Sequence, residues 1–164
     1  MIRQIENFMS NKLNEVVIVN AIRTPIGTYK GSLKNMKSHD LGSIVIKEVL
    51  KRSKFDKDEI DEVIMGQVLT AGAGQNPARQ AAINAGIPIS KPAHIINQVC
   101  GSGLRAVISG YQSIKLGEAK NIISGGQENM SIAPHSIFYR DKKKISEDKL
   151  LDTMINDGLI DAFN

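Results

Sequence analysis

The spacing of hydrophobic positions changes several times along the chain, and each change marks an element. Val16, Val17, Ile18 and Val19 form a short unbroken apolar run, which predicts a strand buried on both faces. From Leu41 the apolar residues fall at Leu41, Val45 and Val49, with Ile46 and Leu50 beside them. That period of about 3.6 predicts a helix, which Ser38 or Asp40 can cap and whose carboxyl end suits Lys51 and Arg52. The run EVIMGQVL at 62–69 predicts a second strand. Asn76 then Pro77 reads as an N-cap followed by proline at the first helical position, opening a helix to about Ala85 that Gly86 and Pro88 end. HIINQV at 94–99 predicts a third strand. A helix follows from about Ser102, with Leu104, Val107, Ile108 and Tyr111 on one side and Gly117 as its stop. Residues 121–124 predict a fourth strand, followed by Gly125 and Gly126.

The order βαβαβαβ, with crossovers of helical length, predicts an α/β fold: a mainly parallel sheet with helices packed on both faces. After Met130 the pattern becomes irregular, with Pro134, the basic run Lys142, Lys143 and Lys144, and a short helix expected at about 150–155. The chain therefore divides into an extension at 1–14, an α/β unit at 15–129 and an irregular unit at 130–164.

Composition narrows the function classes. The 164 residues are 41% hydrophobic and 23% charged, enough for one compact core and unlike a disordered chain. No run approaches the ~18 apolar residues of a membrane span. The formal charge of +4 is scattered, and the lysine run, with Asp141 and Glu147 close by, reads as a solvated loop rather than a nucleic-acid surface. A single cysteine excludes an internal disulfide framework and a cysteine-rich metal site, and it suits a reducing compartment. Residues 1–14 show neither a secretory signal nor a transit peptide, so a cytoplasmic location is expected.

That single cysteine is the first candidate for chemistry. Cys100 stands where a predicted strand gives way to a predicted helix and is followed by Gly101, Ser102 and Gly103. First-turn N–H groups and the helix dipole stabilise a thiolate, small neighbours leave the sulfur open, and the Cys100 amide can donate to an oxyanion. A thiol nucleophile needs a base within hydrogen-bond reach. His94 is six residues upstream on the same predicted strand, roughly 20 Å away. His39, near a helix start, and His135, after Pro134, read as capping or surface residues. No base for Cys100 is legible. The stretch AGAGQNPAR at 71–79 is glycine-rich before a helix, a place where anions bind, but it lacks the lysine and hydroxyl of a P-loop and reads as a tight loop feeding a capped helix. The run GGQENM from Gly125 lies at the carboxyl end of a strand, either a simple turn or part of a ligand edge.

VVIVNAIRTPIG from Val16, VIMGQVLTAGAGQNPARQAA from Val63, NQVCGSGLRAV from Asn97, ISGGQENMS from Ile123 and DTMINDGLIDAF from Asp152 together resemble the thiolases, in particular the short-chain acetyl-CoA acetyltransferase type. The resemblance implies a thiolase-like layered fold, with the amino-terminal half at 15–129 and the start of the inserted loop domain at 130–164. It implies an acyltransferase that condenses two acetyl-CoA into acetoacetyl-CoA and CoA, or runs the reverse thiolysis, with Cys100 as the acyl-accepting nucleophile. It further implies that Leu159 lines the pantetheine channel and that coenzyme A thioesters are substrates, with no cofactor and no metal. A homodimer or homotetramer of the full-length enzyme is implied, with no nucleic-acid or membrane partner. The family's activating histidine lies in a GHP motif, and none of His39, His94 or His135 precedes proline. Its second cysteine has no counterpart, and the Asn-Glu-Val at 14–16 is not equivalent to its NEA motif. The catalytic set is incomplete in these residues, so the chain is expected to be the first part of such an enzyme and inactive alone. A longer-chain degradative thiolase and a non-catalytic fragment acting in binding or assembly are the alternative readings.

Overall fold

The computed structural model of the chain describes residues 15–140 and 150–163. The extension at 1–14 and the lysine run at 142–144 lie outside the described residues. Three parallel strands form the centre: β1 (Glu62–Gly66), β2 (Ala93–Ile96) and β3 (Ile122–Gly126), in the order β2-β1-β3. The helices are α1 (Ser38–Ser53), α2 (Pro77–Asn84) and α3 (Ser102–Leu116). From β1 the chain steps through α2 to β2 on one side, then returns through α3 to β3 on the other. Right-handed crossovers taken in opposite directions put their helices on opposite faces of the sheet.

Register shows the two faces. Val63 and Met65 turn one way, into a core with Ile46 of α1, Ala78, Ala81 and Ala82 of α2, and Ile60 and Ile87. The alternate residues turn the other way, toward α3. There the contact is backbone on backbone: a Cβ on Gly66 would lie 2.3 Å from the carbonyl carbon of Ser102, and one on Gly126 would lie 3.3 Å from the Cα of Gly103. The α/β fold with helices on both faces of a parallel sheet is therefore as expected.

Several boundaries differ from the sequence reading, each for a physical reason. Val16–Val19 is not a strand: among the described residues nothing pairs with it, and Val17, Ile18 and Val19 are exposed. An apolar run becomes a strand only when an edge accepts its backbone groups. β1 ends at Gly66 rather than Leu69, because the next backbone donors leave the ladder: the N–H groups of Val68 and Leu69 both donate to the Glu128 carboxylate, at 2.7 and 3.3 Å. β2 ends at Ile96 because side chains take over the following donors. α1 begins at Ser38 behind Lys37 with no side-chain cap, so neither Ser38 nor Asp40 caps it.

In α3 the side with the large apolar residues is not the buried one. Its buried stripe is Ser102, Ala106 and Gly110, spaced four apart, and Leu104, Ile108 and Tyr111 point outward. Small residues face the sheet because β1 and β3 end in glycines there and the helix approaches closely. Beyond β3, a 3-10 turn (Met130–Ile132) leads to β4 (His135–Ser136), paired antiparallel with β5 (Leu151–Asp152), and α4 (Thr153–Gly158) follows. The helix expected at about 150–155 thus starts at Thr153, with Asp152 as its cap accepting from Met154 N–H at 2.9 Å.

Candidate active site

The carboxyl ends of the three strands gather the chemistry, as expected at the edge of an open α/β sheet where strand order reverses. After β2 the chain makes a tight turn rather than running straight into α3. Asn97 Oδ1 accepts the N–H of Val99 at 3.0 Å, and the N–H of Gly101 donates to the Gln98 carbonyl at 3.0 Å. Val99 itself sits at φ 47, a left-handed conformation that a β-branched side chain seldom adopts. Cys100 follows directly, exposed and in no disulfide, one residue before the helix cap Gly101.

The Ser102 hydroxyl fastens the turn from below. It accepts the N–H of Gln98 at 2.9 Å and donates to the Val99 carbonyl at 2.5 Å. Ser102 is buried, and its backbone rests on Gly66, so the turn is referenced to the centre of the sheet.

A polar network holds the neighbouring strand ends. Gln127 Nε2 donates to Gln67 Oε1 at 2.9 Å, and Gln67 Nε2 donates to the Leu69 carbonyl at 2.8 Å. Glu128 clamps the Val68 and Leu69 amides. Burial pushes its carboxyl above the ordinary value, opposed by the hydrogen bonds from Val68, Leu69 and Asn129. Asn129 reaches back to an earlier loop, donating to the carbonyls of Leu33 and Met36 at 3.0 and 2.7 Å. The GGQENM run is therefore more than a simple turn. Gly126 admits α3, and the polar residues after it hold the loops that follow β1 and precede α1. Sequence reasoning missed this role of Ser102, Gln127, Glu128 and Asn129. Polar residues directly after paired glycines at a strand end were the available signal.

None of the histidines is bonded to Cys100. His94 Nδ1 lies 2.9 Å from Glu62 Oε1 across the β1–β2 pair. His135 is exposed, with Nε2 4.0 Å from Asp152 Oδ2. His39 is buried in the first turn of α1, with Nε2 3.6 Å from Asp40 Oδ1, rather than at the surface or in a cap. The glycine-rich loop is a tight loop feeding a capped helix: Asn76 Oδ1 accepts the Arg79 N–H at 3.1 Å, and Gln80 Nε2 donates to the Ala73 and Gln75 carbonyls. A cavity of about 300 Å³ between this loop, Asn129 and the start of α1 is lined in part by His39, and Cys100 does not line it. Leu159 ends α4 with its side chain exposed. The adjacent Gly158 packs on Leu69 and Val68, which places α4 at the same sheet end as Cys100. Among the described residues no group of His, Cys, Asp and Glu could hold a metal ion, and no helix is long and apolar enough to cross a membrane.

An open parallel sheet with a lone exposed thiol on a strained turn at its carboxyl edge defines an α/β protein with a candidate nucleophile at that edge. The pattern of the thiolase N-terminal domain matches residues 16–164, so the chain belongs to the thiolase family. It is 52% identical over 152 residues to an acetyl-CoA acetyltransferase of Paracoccus denitrificans, a match covering 93% of this chain and 39% of that protein. It is 51% identical over 149 residues to a cytosolic acetyl-CoA acetyltransferase of Rattus norvegicus, covering 91% and 38%. Its structure superposes on the acetyl-CoA acetyltransferase of Bacillus anthracis with a TM-score of 0.83 at 36% identity, covering 88% of this chain and 37% of that one. The chain thus spans about two-fifths of the length of the relatives it matches.

Proposed function

We propose that Cys100 is the acetyl-accepting nucleophile of a thiolase-type acetyl-CoA C-acetyltransferase to which these residues contribute the first part. In the first step the Cys100 thiolate attacks the carbonyl carbon of acetyl-CoA. The tetrahedral oxyanion collapses, the CoA thiolate leaves, and an acetyl-cysteine remains. In the second step a base takes a proton from the methyl group of another acetyl-CoA. The carbanion attacks the acetyl-cysteine carbonyl, acetoacetyl-CoA departs, and the Cys100 thiolate is regenerated. Thiolysis is the same path reversed.

The observation that carries this reading is the exposed Cys100 on its fastened turn, ahead of the α3 amides that suit an oxyanion. The names of the relatives support acetyl-CoA as the substrate. In this reading Leu159 lines the pantetheine channel, supported by the docking of Gly158 on Val68 and Leu69. CoA thioesters are substrates and no separate cofactor is required. The location is cytoplasmic and the full-length enzyme is a homo-oligomer, for which the outer edges of β2 and β3, without a further strand among the described residues, offer surfaces.

The test is incubation with isotope-labelled acetyl-CoA followed by peptide mass spectrometry. We expect a substoichiometric acetyl group on the peptide containing Cys100, absent in Cys100→Ala. Label confined to lysines and unchanged by Cys100→Ala would refute the assignment.

A further inference from the structure

We propose that the Ser102 hydroxyl is the positioning group that holds Val99 left-handed and so aims the Cys100 thiol. This inference rests on the acyl-transfer reading of Cys100 and adds a second residue to it.

Among the described residues, four non-glycine residues have positive φ: Lys30, Lys54, Asn76 and Val99. Lys54 ends α1, where left-handed caps are common, and Asn76 is of a type that tolerates the region. Val99 is the β-branched member of the set, and nothing in its own chemistry favours the conformation. Left-handed backbone is disfavoured for such a residue by about five- to thirtyfold in population, so other groups must impose it. Strain of this kind persists only where the surroundings over-determine it.

Two groups do so. Asn97 Oδ1 takes the Val99 N–H at 3.0 Å. Ser102 holds both sides of the same peptide segment, with its single hydroxyl proton on the Val99 carbonyl and a lone pair accepting the Gln98 N–H, at 2.5 and 2.9 Å. Both capacities of the hydroxyl are therefore used. The hydroxyl also has a fixed reference point, since the Ser102 backbone lies directly on Gly66 of β1. Position passes from sheet to Ser102, from Ser102 to the peptide around Val99, and from Val99 to the Cα of Cys100. Without the hydroxyl, the Gln98 donor and the Val99 carbonyl lose this partner, Val99 relaxes to negative φ, and the thiol turns away from where α3 presents it. A strained strand-to-helix turn that exposes a nucleophile is an established device of acyl-transfer sites. Here the strain sits on the residue before the nucleophile.

The experiment uses the whole chain, in which Cys100 is the single thiol, so alkylation by iodoacetamide reports on it alone. Rates at fixed pH are compared for the parent, Ser102→Ala, Val99→Gly and the double variant, each with its thermal melt. Glycine adopts positive φ freely, so Val99→Gly removes the need for the fastener. We expect Ser102→Ala to slow alkylation about fivefold or more, Val99→Gly to stay within about twofold of the parent, and the double variant to return to the Val99→Gly rate. A merely structural hydroxyl would lower the melt without a rate defect that glycine repairs. A parental rate in Ser102→Ala, or a double variant as slow as Ser102→Ala, overturns the proposal. If Ser102→Ala does not fold, Asn97→Ala with and without Val99→Gly takes its place, under the same expectation of slowing and repair. Iodoacetamide needs no acyl transfer. A chain that shows this rate pattern yet never takes an acetyl group sinks the functional reading and leaves the positioning role standing.

Discussion

Glu128 and Asp61 are both carboxylates that accept backbone N–H groups, yet they respond to pH with opposite sign. Asp61 ties the start of β1 to the start of β3, accepting from Lys120 and Asn121 at 2.7 and 3.0 Å. Those hydrogen bonds, that from Asn121 foremost, lower its carboxyl from the ordinary 3.8. Its stabilisation is therefore present above 3.8 and lost as pH falls through the lowered folded value. Asp61→Ala should cost about 1 kcal/mol at neutral pH, toward the lower end for bonds to a charged group because solvent screens it. That deficit should shrink in acid, as denaturant melts at several pH values would show. A deficit that stays constant with pH would contradict the assignment. For Glu128 burial wins, and its carboxyl is raised from 4.5. Its contribution is complete below 4.5 and lost as pH rises through the folded value. Glu128→Gln removes that titration, so stability relative to the parent should shift in the variant's favour as pH climbs from about 4.5. A shift in the parent's favour over that window would show that the amide hydrogen bonds, not burial, dominate. Cys100 as a candidate was legible in the sequence, since a thiol among small residues at a strand–helix junction has a local signature. Glu128 was not, because its partner Val68 is 60 residues away and only the folded sheet brings them together.

At the scale of elements, β1, α2, β3 and the stop of α3 at Gly117 were legible to within two or three residues, because each carries a local signal of period, cap or glycine. The apolar side of α3 was legible too, but not which side of the helix faces the sheet. In α3 the inward stripe is Ser102, Ala106 and Gly110, chosen by the distance to the sheet rather than by hydrophobicity. That distance depends on Gly66 and Gly126, which belong to other elements, and no window on α3 alone contains it. The same geometry makes Gly66 the most consequential glycine near the site. An added Cβ there meets the backbone of Ser102 and Gly103 at 2.3–2.5 Å, and backbone cannot swing aside as a side chain tip can. At Gly110 the nearest atoms, Ile122 Cγ2 and Ser124 Oγ, are 3.2 and 3.3 Å away and belong to side chains. Gly66→Ala should therefore cost about 3 kcal/mol or abolish folding, and Gly110→Ala about 1 kcal/mol, as overpacking costs run. Equilibrium denaturation of the pair checks the ordering. Equal stability of the two variants would mean that α3 moves off the sheet easily, which would also remove the reference point assigned to Ser102.

At the scale of the whole molecule, the described residues leave apolar surface open in several places, of which two bear on the sheet and its helices. Leu104, at 69% exposed, lies with Ile108 and Tyr111 on the outer side of α3, and Val17, Ile18 and Val19 lie exposed ahead of α1. Both outer strands of the central sheet have an outer edge that pairs with no further strand among the described residues. Patches and edges of this kind favour association. The 164-residue chain should bind hydrophobic dyes strongly or self-associate on a sizing column, and a dye-silent monomer with a sharp cooperative melt would argue that this surface is covered. Catalysis follows the same division between what these residues supply and what they do not. Acetyl transfer followed by condensation needs a thiolate that accepts the acetyl group and a separate base that makes the second acetyl-CoA a carbanion. Cys100 can meet the first demand. The resemblance assigns the second to another cysteine, and Cys100 is the only one in the sequence. It assigns activation of the nucleophile to a histidine followed by proline, and His39, His94 and His135 are each followed by another residue. His94 is paired with Glu62, and neither His39 nor His135 is bonded to Cys100. Loss of one member of a coupled catalytic set costs ~10³-fold or more in rate, and here several are missing together. Thiolysis of acetoacetyl-CoA, followed through the loss of its enolate absorbance, should therefore show no turnover that depends on Cys100. Robust turnover by the chain alone, abolished in Cys100→Ala, would mean that one of its own groups serves as the base, with half-buried Glu128 and buried His39 the first to substitute.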